Sequence, residues 1–427
     1  MVTRRSFLWM SSLGAAVAGA PRALAQSVPQ GDAALPPSIA SLSSMRDRAV
    51  AISKDERAAR VEKAKRLMAG EKMDGLMLTG GTSMVYFTGM RWWLSERLTA
   101  VIIPVEGTAF VVTPAFEEER TREQLADGPL DKADVLTWQE DESPYDRVAQ
   151  GLRARGIVTG RLGIEETVRY VFSSGVSQAA TALTLTSGTP VTAGCRMVKD
   201  SHEIALMRLA AEVTWKAYEA AWKALKEGMT QADFARLVQS AHQRLGFTGG
   251  AGVQVGEYSA LPHGSVQPQV IREGTILLMD GGCSVEGYAS DISRTFVLGK
   301  PTDRMKKVFD IDRRAQDAAL AAARPGVPCE AVDRAARTVV EDAGFGPDYA
   351  YFTHRVGHGM GMDGHEWPYL VRGNTLPLAA GMTFSNEPGI YIRGEFGVRV
   401  EDDMLITENG AELFTPQSPS LENPFGT

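Results

Sequence analysis

Apolar side chains at Val61, Ala64, Leu67 and Met68 form one stripe at helical spacing, which predicts a helix over residues 55–71. Short runs of aliphatic and β-branched residues follow at 75–79, 100–105, 109–113, 134–138 and 161–165. Helical stretches at 116–125 and 144–155 lie between them. Such alternation predicts an α/β domain, here given the limits 45–195. It holds none of the histidines.

From Arg196 the texture changes. A long helical period covers 201–226, with Ser201 as its cap and Glu203 in the first turn, and it stops at Gly228. Thr230 caps a second helix over 231–245. The same pair recurs over 303–324, ending at Gly326, and over 328–343. Each pair precedes glycine-rich, strand-forming sequence, the mark of an internally duplicated helix-turn-helix-plus-sheet unit. Residues 196–427 are therefore expected to form a second domain.

The start of the chain follows neither pattern. Thr3-Arg4-Arg5-Ser6-Phe7-Leu8 is a twin-arginine sequence, an apolar stretch runs to Ala20, and Ala23-Leu24-Ala25 fits a cleavage site before Gln26. The apolar stretch is shorter than the ~20 residues a spanning helix needs. Residues 1–25 are thus expected to be a cleaved export signal, giving a soluble periplasmic or secreted product. Residues 26–44, rich in Pro, Ser, Ala and Gly, read as a linker.

Composition narrows the function. With 45 basic against 52 acidic residues the net charge is −7, which argues against a nucleic-acid binder. Cys195, Cys283 and Cys329 are odd in number and far apart, so they imply neither a disulfide framework nor a cysteine metal site.

The candidate chemistry lies in two hairpins and a histidine cluster. In the segment from Thr275 to Val297, two β-rich runs flank a turn at 284–287. Symmetric pairing about that turn sets Asp280 opposite Asp291, with Cβ atoms ~5 Å apart. Like charges so placed repel, and a divalent cation resolves the conflict. The runs 386–391 and 397–401 repeat the device about Gly394, setting Glu387 opposite Glu401. His354, His358 and His365 fall close together among Gly357, Gly359, Gly361 and Gly364. For any one histidine alone, a structural hydrogen bond is the commoner role. The set of Asp280, Asp291, His358, Glu387 and Glu401 is different. Four carboxylates and one imidazole are too much charge for one ion and suit two.

The order D…D…H…E…E, carried by SDISRTF, GHGMGMDGHEWP, SNEPGIY and GVRVED, resembles the pita-bread metallopeptidases. These comprise methionine aminopeptidase, aminopeptidase P and prolidase, with creatinase as a metal-free relative. The likeness runs from Arg196 to about Pro416, and the preceding domain resembles the amino-terminal domain of prolidase and creatinase. The fold class implied is α+β: a pita-bread catalytic domain preceded by a smaller α/β creatinase-type domain. The resemblance implies two divalent ions per chain, manganese first, with cobalt, zinc or iron as alternatives. Asp280 and His358 would each sit on one ion, Glu387 would complete the second, and Asp291 and Glu401 would bridge. An activated water would be the nucleophile and Glu387 the proton shuttle. His263 and His365 match the family histidines that stabilise the oxyanion, and His354 would orient His358.

Arg399, two residues before Glu401, shares its strand face and would hold a substrate carboxylate or a metal ligand. Arg372 is the nearest candidate for the arginine with which prolidases grip a dipeptide's carboxylate. His202 and His242 are expected on the surface. Trp92 and Trp93 are expected to pack, or to face substrate across a homodimer. The implied function is an exported two-metal peptidase cleaving X-Pro bonds in dipeptides or short peptides. The alternative is a non-peptidase relative acting on another small molecule, as creatinase, ectoine hydrolase or dimethylsulfoniopropionate lyase does. Creatinase-like chemistry is disfavoured by the intact ligand set, and the lyase by Gly282 standing two after Asp280. A catalytically dead binding module would be expected to have lost ligands.

Overall fold

A computed structural model describes residues 35–427. The expected export signal lies outside the described residues. Of the stretch expected as linker, residues 35–44 are described, and they are anchored at Ile39. Ile39 is buried in the helix Pro37–Ala40, and with Met45 and Ile52 it joins the core formed by Leu206, Met207 and Tyr288. Met45 N donates to Leu245 O at 2.9 Å, so the backbone is tied down there as well.

The chain then builds a mixed six-stranded sheet. Its order is Asp134–Trp138, Phe110–Pro114, Ala100–Pro104, Gly75–Thr79, Gly160–Ile164 and Leu183–Ser187. The three strands GLMLT, AVIIP and FVVTP are buried throughout, which is why they read as continuous rather than alternating apolar runs. The sequence pattern passed over the helices Thr82–Thr88, Tyr170–Ala179 and Thr189–Arg196 and the edge strand Leu183–Ser187. The second of these is YVFSSGVSQA, whose serines, glycine and β-branched residues have weak helix propensity. Packing of Phe172 and Val176 into the core overrides it.

In the second half the expected helices appear as Ser201–Trp222, Gln231–Arg244, Asp303–Ala322 and Cys329–Asp342. Asp200, not Ser201, caps the first of them: its carboxylate accepts from the backbone N–H of His202 and Glu203, and Glu203 closes a capping box. The first helix pair packs on the antiparallel strands Gly249–Val255, Ile276–Val285 and Ile292–Val297. The second pair packs against a core that includes Phe384 and Met404 of a five-stranded sheet. Among the described residues no helix is long and apolar enough to cross a membrane.

The register of the first hairpin differs from the expected one. Ser293, not Asp291, faces Asp280, because the turn is only Glu286-Gly287, with Ser284 and Val285 paired to Ala289 and Tyr288. Both turn residues have positive φ, 49° and 92°, the type I′ geometry suited to a two-residue hairpin. The slip is by two residues, so faces are preserved and the two aspartates remain diagonal neighbours. The second hairpin follows the expected register, with Gly389 facing Arg399 about Gly394. Its ladder closes at Arg399, however, and Glu401 N donates instead to Ser293 O at 3.2 Å. That bridge joins the two halves.

His242 is buried rather than on the surface, its Nδ1 donating to Val238 O at 2.9 Å. Burial pulls its pKa down to about 4, against an ordinary value near 6.5. The unfolded chain therefore binds a proton that the folded one refuses, and stability is lost as pH falls from about 6.5 to about 4. The loss is at most ~3 kcal/mol. Urea unfolding at a series of pH values should show His242→Gln with a flatter slope in this window. An unchanged slope would disprove the assignment.

Candidate metal centre

Where the two halves meet, a cavity of about 190 Å³ takes in all five expected ligands together with His263, His354, His365 and Arg399. Asp280 arrives from the strand Ile276–Val285 and Asp291 from the residue just before the strand Ile292–Val297. His358 sits in the middle of the three-residue strand Gly357–Gly359, whose tight seat excludes side chains: a Cβ on Gly357 would stand 2.1 Å from Ser385 O. Glu387 follows the strand Thr383–Asn386, and Glu401 lies between the second hairpin and the strand Asp402–Ile406.

Their donor atoms form three overlapping groups, each lying within 4.8 Å: Asp280, Asp291 and Glu401; His358, Glu387 and Glu401; Asp291, His358 and His365. His358 Nδ1 lies 3.2 Å from Gly359 O, leaving Nε2 to face Glu387 at 3.1 Å and Asp291 at 3.8 Å. The electrostatics are those of crowded anions. Burial and the neighbouring Asp280 push Asp291 up to about 7. Burial, with Asp291, Glu387 and Asp280, also holds Glu401 well above the usual carboxylate range. Glu387 goes the other way, to about 2: burial raises it, but the hydrogen bond and charge of His358, then His354 and Arg399, prevail. Oxygen donors this close need protons or cations among them. Carboxylates with one imidazole are a fitting donor set for hard or borderline divalent ions.

Arg399 is 3% exposed and spends its nitrogens inside the site. Nη2 lies 2.5 Å from Asp280 Oδ2, Nε donates to Ser293 Oγ at 3.0 Å, and Nη1 donates to Tyr391 OH at 2.8 Å. Of its two expected partners it therefore holds the second, the expected ligand residue Asp280. Arg372 is not brought to the cavity. It lies exposed in the turn beyond the strand Glu366–Leu370, 2.6 Å from Asp348 Oδ1. His354 does not orient His358: its Nε2 meets Tyr391 OH at 2.8 Å, and its Nδ1 lies 2.8 Å from Arg355 O and 3.9 Å from Glu387 Oε2. His365 stacks on His358 with ring centroids 3.6 Å apart, and burial lowers its pKa, as does the charge of His358. Trp92 and Trp93 stack on each other away from the cavity, with Arg120 over the Trp93 ring.

Ser293 and Tyr391 were not expected in the site. Ser293 Oγ stands 2.8 Å from Asp280 Oδ1 and 2.5 Å from Glu401 Oε2. Two-residue alternation from Asp291 would have found it. Nothing in the spacing marked Tyr391, which matters through Arg399 and His354.

Residues 205–408 match the family model described as metallopeptidase family M24, and residues 60–198 that of the creatinase/prolidase N-terminal domain. An Xaa-Pro dipeptidase from Lactobacillus delbrueckii subsp. lactis is 32% identical over 82% of this chain and 95% of its own. The crystal structure of dipeptidase PepE from Mycobacterium ulcerans superposes with a TM-score of 0.81 at 33% identity, covering 87% of this chain and 99% of that one. A prolidase from Thermococcus sibiricus gives 0.78 at 30% identity over 86% and 98%. Sequence, fold and site converge: the chain belongs to metallopeptidase family M24, a metal-dependent hydrolase whose pita-bread catalytic domain follows a creatinase/prolidase N-terminal domain.

Proposed function

We propose that the protein hydrolyses the bond preceding proline in dipeptides or short peptides, with two divalent ions, manganese foremost, held by Asp280, Asp291, His358, Glu387 and Glu401. The observation that carries this reading is the meeting of the five expected ligand residues in one cavity, flanked by His263 and His365. The names of the relatives, an Xaa-Pro dipeptidase and a prolidase among them, support the substrate class. Divalent ions in such a site supply a water acidic enough to attack at neutral pH and polarise the scissile carbonyl. Glu387, beside both His358 and His354, takes the proton and passes it to the leaving imide nitrogen. His263 and His365 donate hydrogen bonds to the oxygen on which charge develops. Arg399 and Ser293 keep Asp280 and Glu401 in place.

Liquid chromatography of Mn-loaded protein incubated with Ala-Pro, Ala-Pro-Pro and creatine tests the reading. Free proline from Ala-Pro is expected, and it should cease when a chelator strips the metal. Turnover of creatine alone would overturn the peptidase assignment. His263→Ala should lower kcat by roughly 10²–10³ while metal content and KM stay close to wild type. Loss of metal from this variant would make His263 a ligand and break the five-ligand scheme.

The same reading includes a homodimer and twin-arginine export to the periplasm or beyond. Arg4→Lys with Arg5→Lys should leave the precursor in the cytoplasm, because the arginine pair is what the receptor reads. Unchanged fractionation would point to another route.

A further inference from the structure

Glu366 follows His365 directly and opens the strand Glu366–Leu370. Its side chain is buried, and both oxygens are taken by cations: Lys199 Nζ lies 2.5 Å from Oε1, and Arg196 Nη2 meets Oε2. Neither cation comes from the catalytic sheets. Arg196 ends Thr189–Arg196, the last helix of the first domain, and Lys199 stands in the connection to the helix Ser201–Trp222. Arg196 Nη2 also reaches Asp363 Oδ2 at 2.6 Å. Asp363 Oδ1 in turn accepts from Thr82 Oγ1 at 2.5 Å, and Thr82 opens the first-domain helix Thr82–Thr88.

The stretch from the His358 strand through Glu366, which carries His365, is therefore gripped at two carboxylates, by the last helix of the first domain and its connection to the next helix and by the helix Thr82–Thr88. The packing leaves little slack. A Cβ on Gly361 would stand 2.6 Å from Glu366 Oε1 and 2.8 Å from Lys199 Cε. None of Thr82, Arg196, Lys199 or Glu366 lines the cavity.

We propose that Arg196 and Lys199 are positioning residues: through Glu366 and Asp363 they let the first domain set where the His365 imidazole stands. The proposal rests on the reading of His365 as an oxyanion donor. Charge-assisted bonds from two cations to one buried carboxylate fix its direction, and with it the main chain that carries His365. A displacement of about 1 Å at a reacting group can cost ~10² in rate. A pair serving stability alone would weaken the fold and leave the chemistry of the folded fraction unchanged.

The test uses the Mn-loaded full chain and Ala-Pro. kcat, KM and metal content are measured for Lys199→Met, Glu366→Gln and Thr82→Val, each alone and combined with His365→Ala. Lys199→Met and Glu366→Gln should lower kcat by about 10- to 100-fold at near wild-type KM and metal content. Neither should cause further loss once His365 is already alanine. Thr82→Val leaves the buried ion pairs intact and should give a smaller fall of the same kind, so the proposal stays open to refutation even if Glu366→Gln does not fold. Losses that multiply with that of His365→Ala would overturn the proposal, as would wild-type kcat for both Lys199→Met and Thr82→Val. Failure of the underlying reading looks different: His365→Ala alone would then turn over at the wild-type rate, and the proposal would fall with it.

Discussion

Asp291→Asn should abolish peptidase activity and release metal, an effect larger than the ~10²–10³ expected for losing a single oxyanion donor. The reason is where Asp291 stands. It shares one donor group with Asp280 and Glu401 and another with His358 and His365, so it spans both ends of the cluster. Asparagine keeps the shape and the backbone N–H, which donates to Asp403 Oδ1 at 3.1 Å, but it removes the charge. The fold should survive, since Asp291 is surrounded by other carboxylates and its removal relieves repulsion. Elemental analysis and kinetics on the same sample decide the matter. Near wild-type turnover with full metal content would show that Asp291 bridges nothing.

Asp402→Ala should cost the fold about 3–5 kcal/mol. Arg294 and Asp402 form a 2.5 Å ion pair in which both side chains are 0% exposed. Arg294 also donates to the carbonyls of Ser293 at 2.8 Å and Glu401 at 2.7 Å, directly beneath the site. Removing the carboxylate leaves a guanidinium buried without its counter-charge, and the low dielectric makes that expensive. Urea unfolding followed by tryptophan fluorescence measures the loss. The double variant Arg294→Met with Asp402→Leu should recover much of it, since a buried ion pair is often no more stabilising than well-packed apolar side chains. A single-variant cost below about 1 kcal/mol would mean that water or a shifted side chain satisfies Arg294.

How legible this was from sequence depends on the range of the interaction. The aspartate pair could be found because its hairpin folds locally, and strand alternation survives an error of two residues in register. The error itself arose at Glu286-Gly287. A four-residue turn and a two-residue type I′ turn fit the same string, and positive φ at a glutamate is not written in the pattern. Arg372 was misplaced for the opposite reason: its nearness to His365 is along the chain only, and the turn after Leu370 carries it to Asp348. His242 lies on a helix whose buried face receives Tyr218 edge-on at 6.1 Å, a contact between helices that periodicity cannot supply. The Arg294–Asp402 pair and the grip on Glu366 join residues more than a hundred positions apart, and spacing alone had no way to propose them.

Ile39, Met45 and Ile52 precede residues 60–198, the part matched to the creatinase/prolidase N-terminal domain, yet pack on the helix Ser201–Trp222, which follows that part. In folding terms, the first domain is an insertion into the catalytic one. As the chain is synthesised, the six-stranded sheet can close on its own contacts, while the segment before it must wait for a partner helix made some 150 residues later. Until then its apolar side chains stay uncovered. A version beginning at Met197 would show the complementary defect, with Leu206, Met207 and Leu209 lacking that cover. Cover for the apolar face of a helix made later, before any question of activity, is what the early residues of this chain contribute to the late ones.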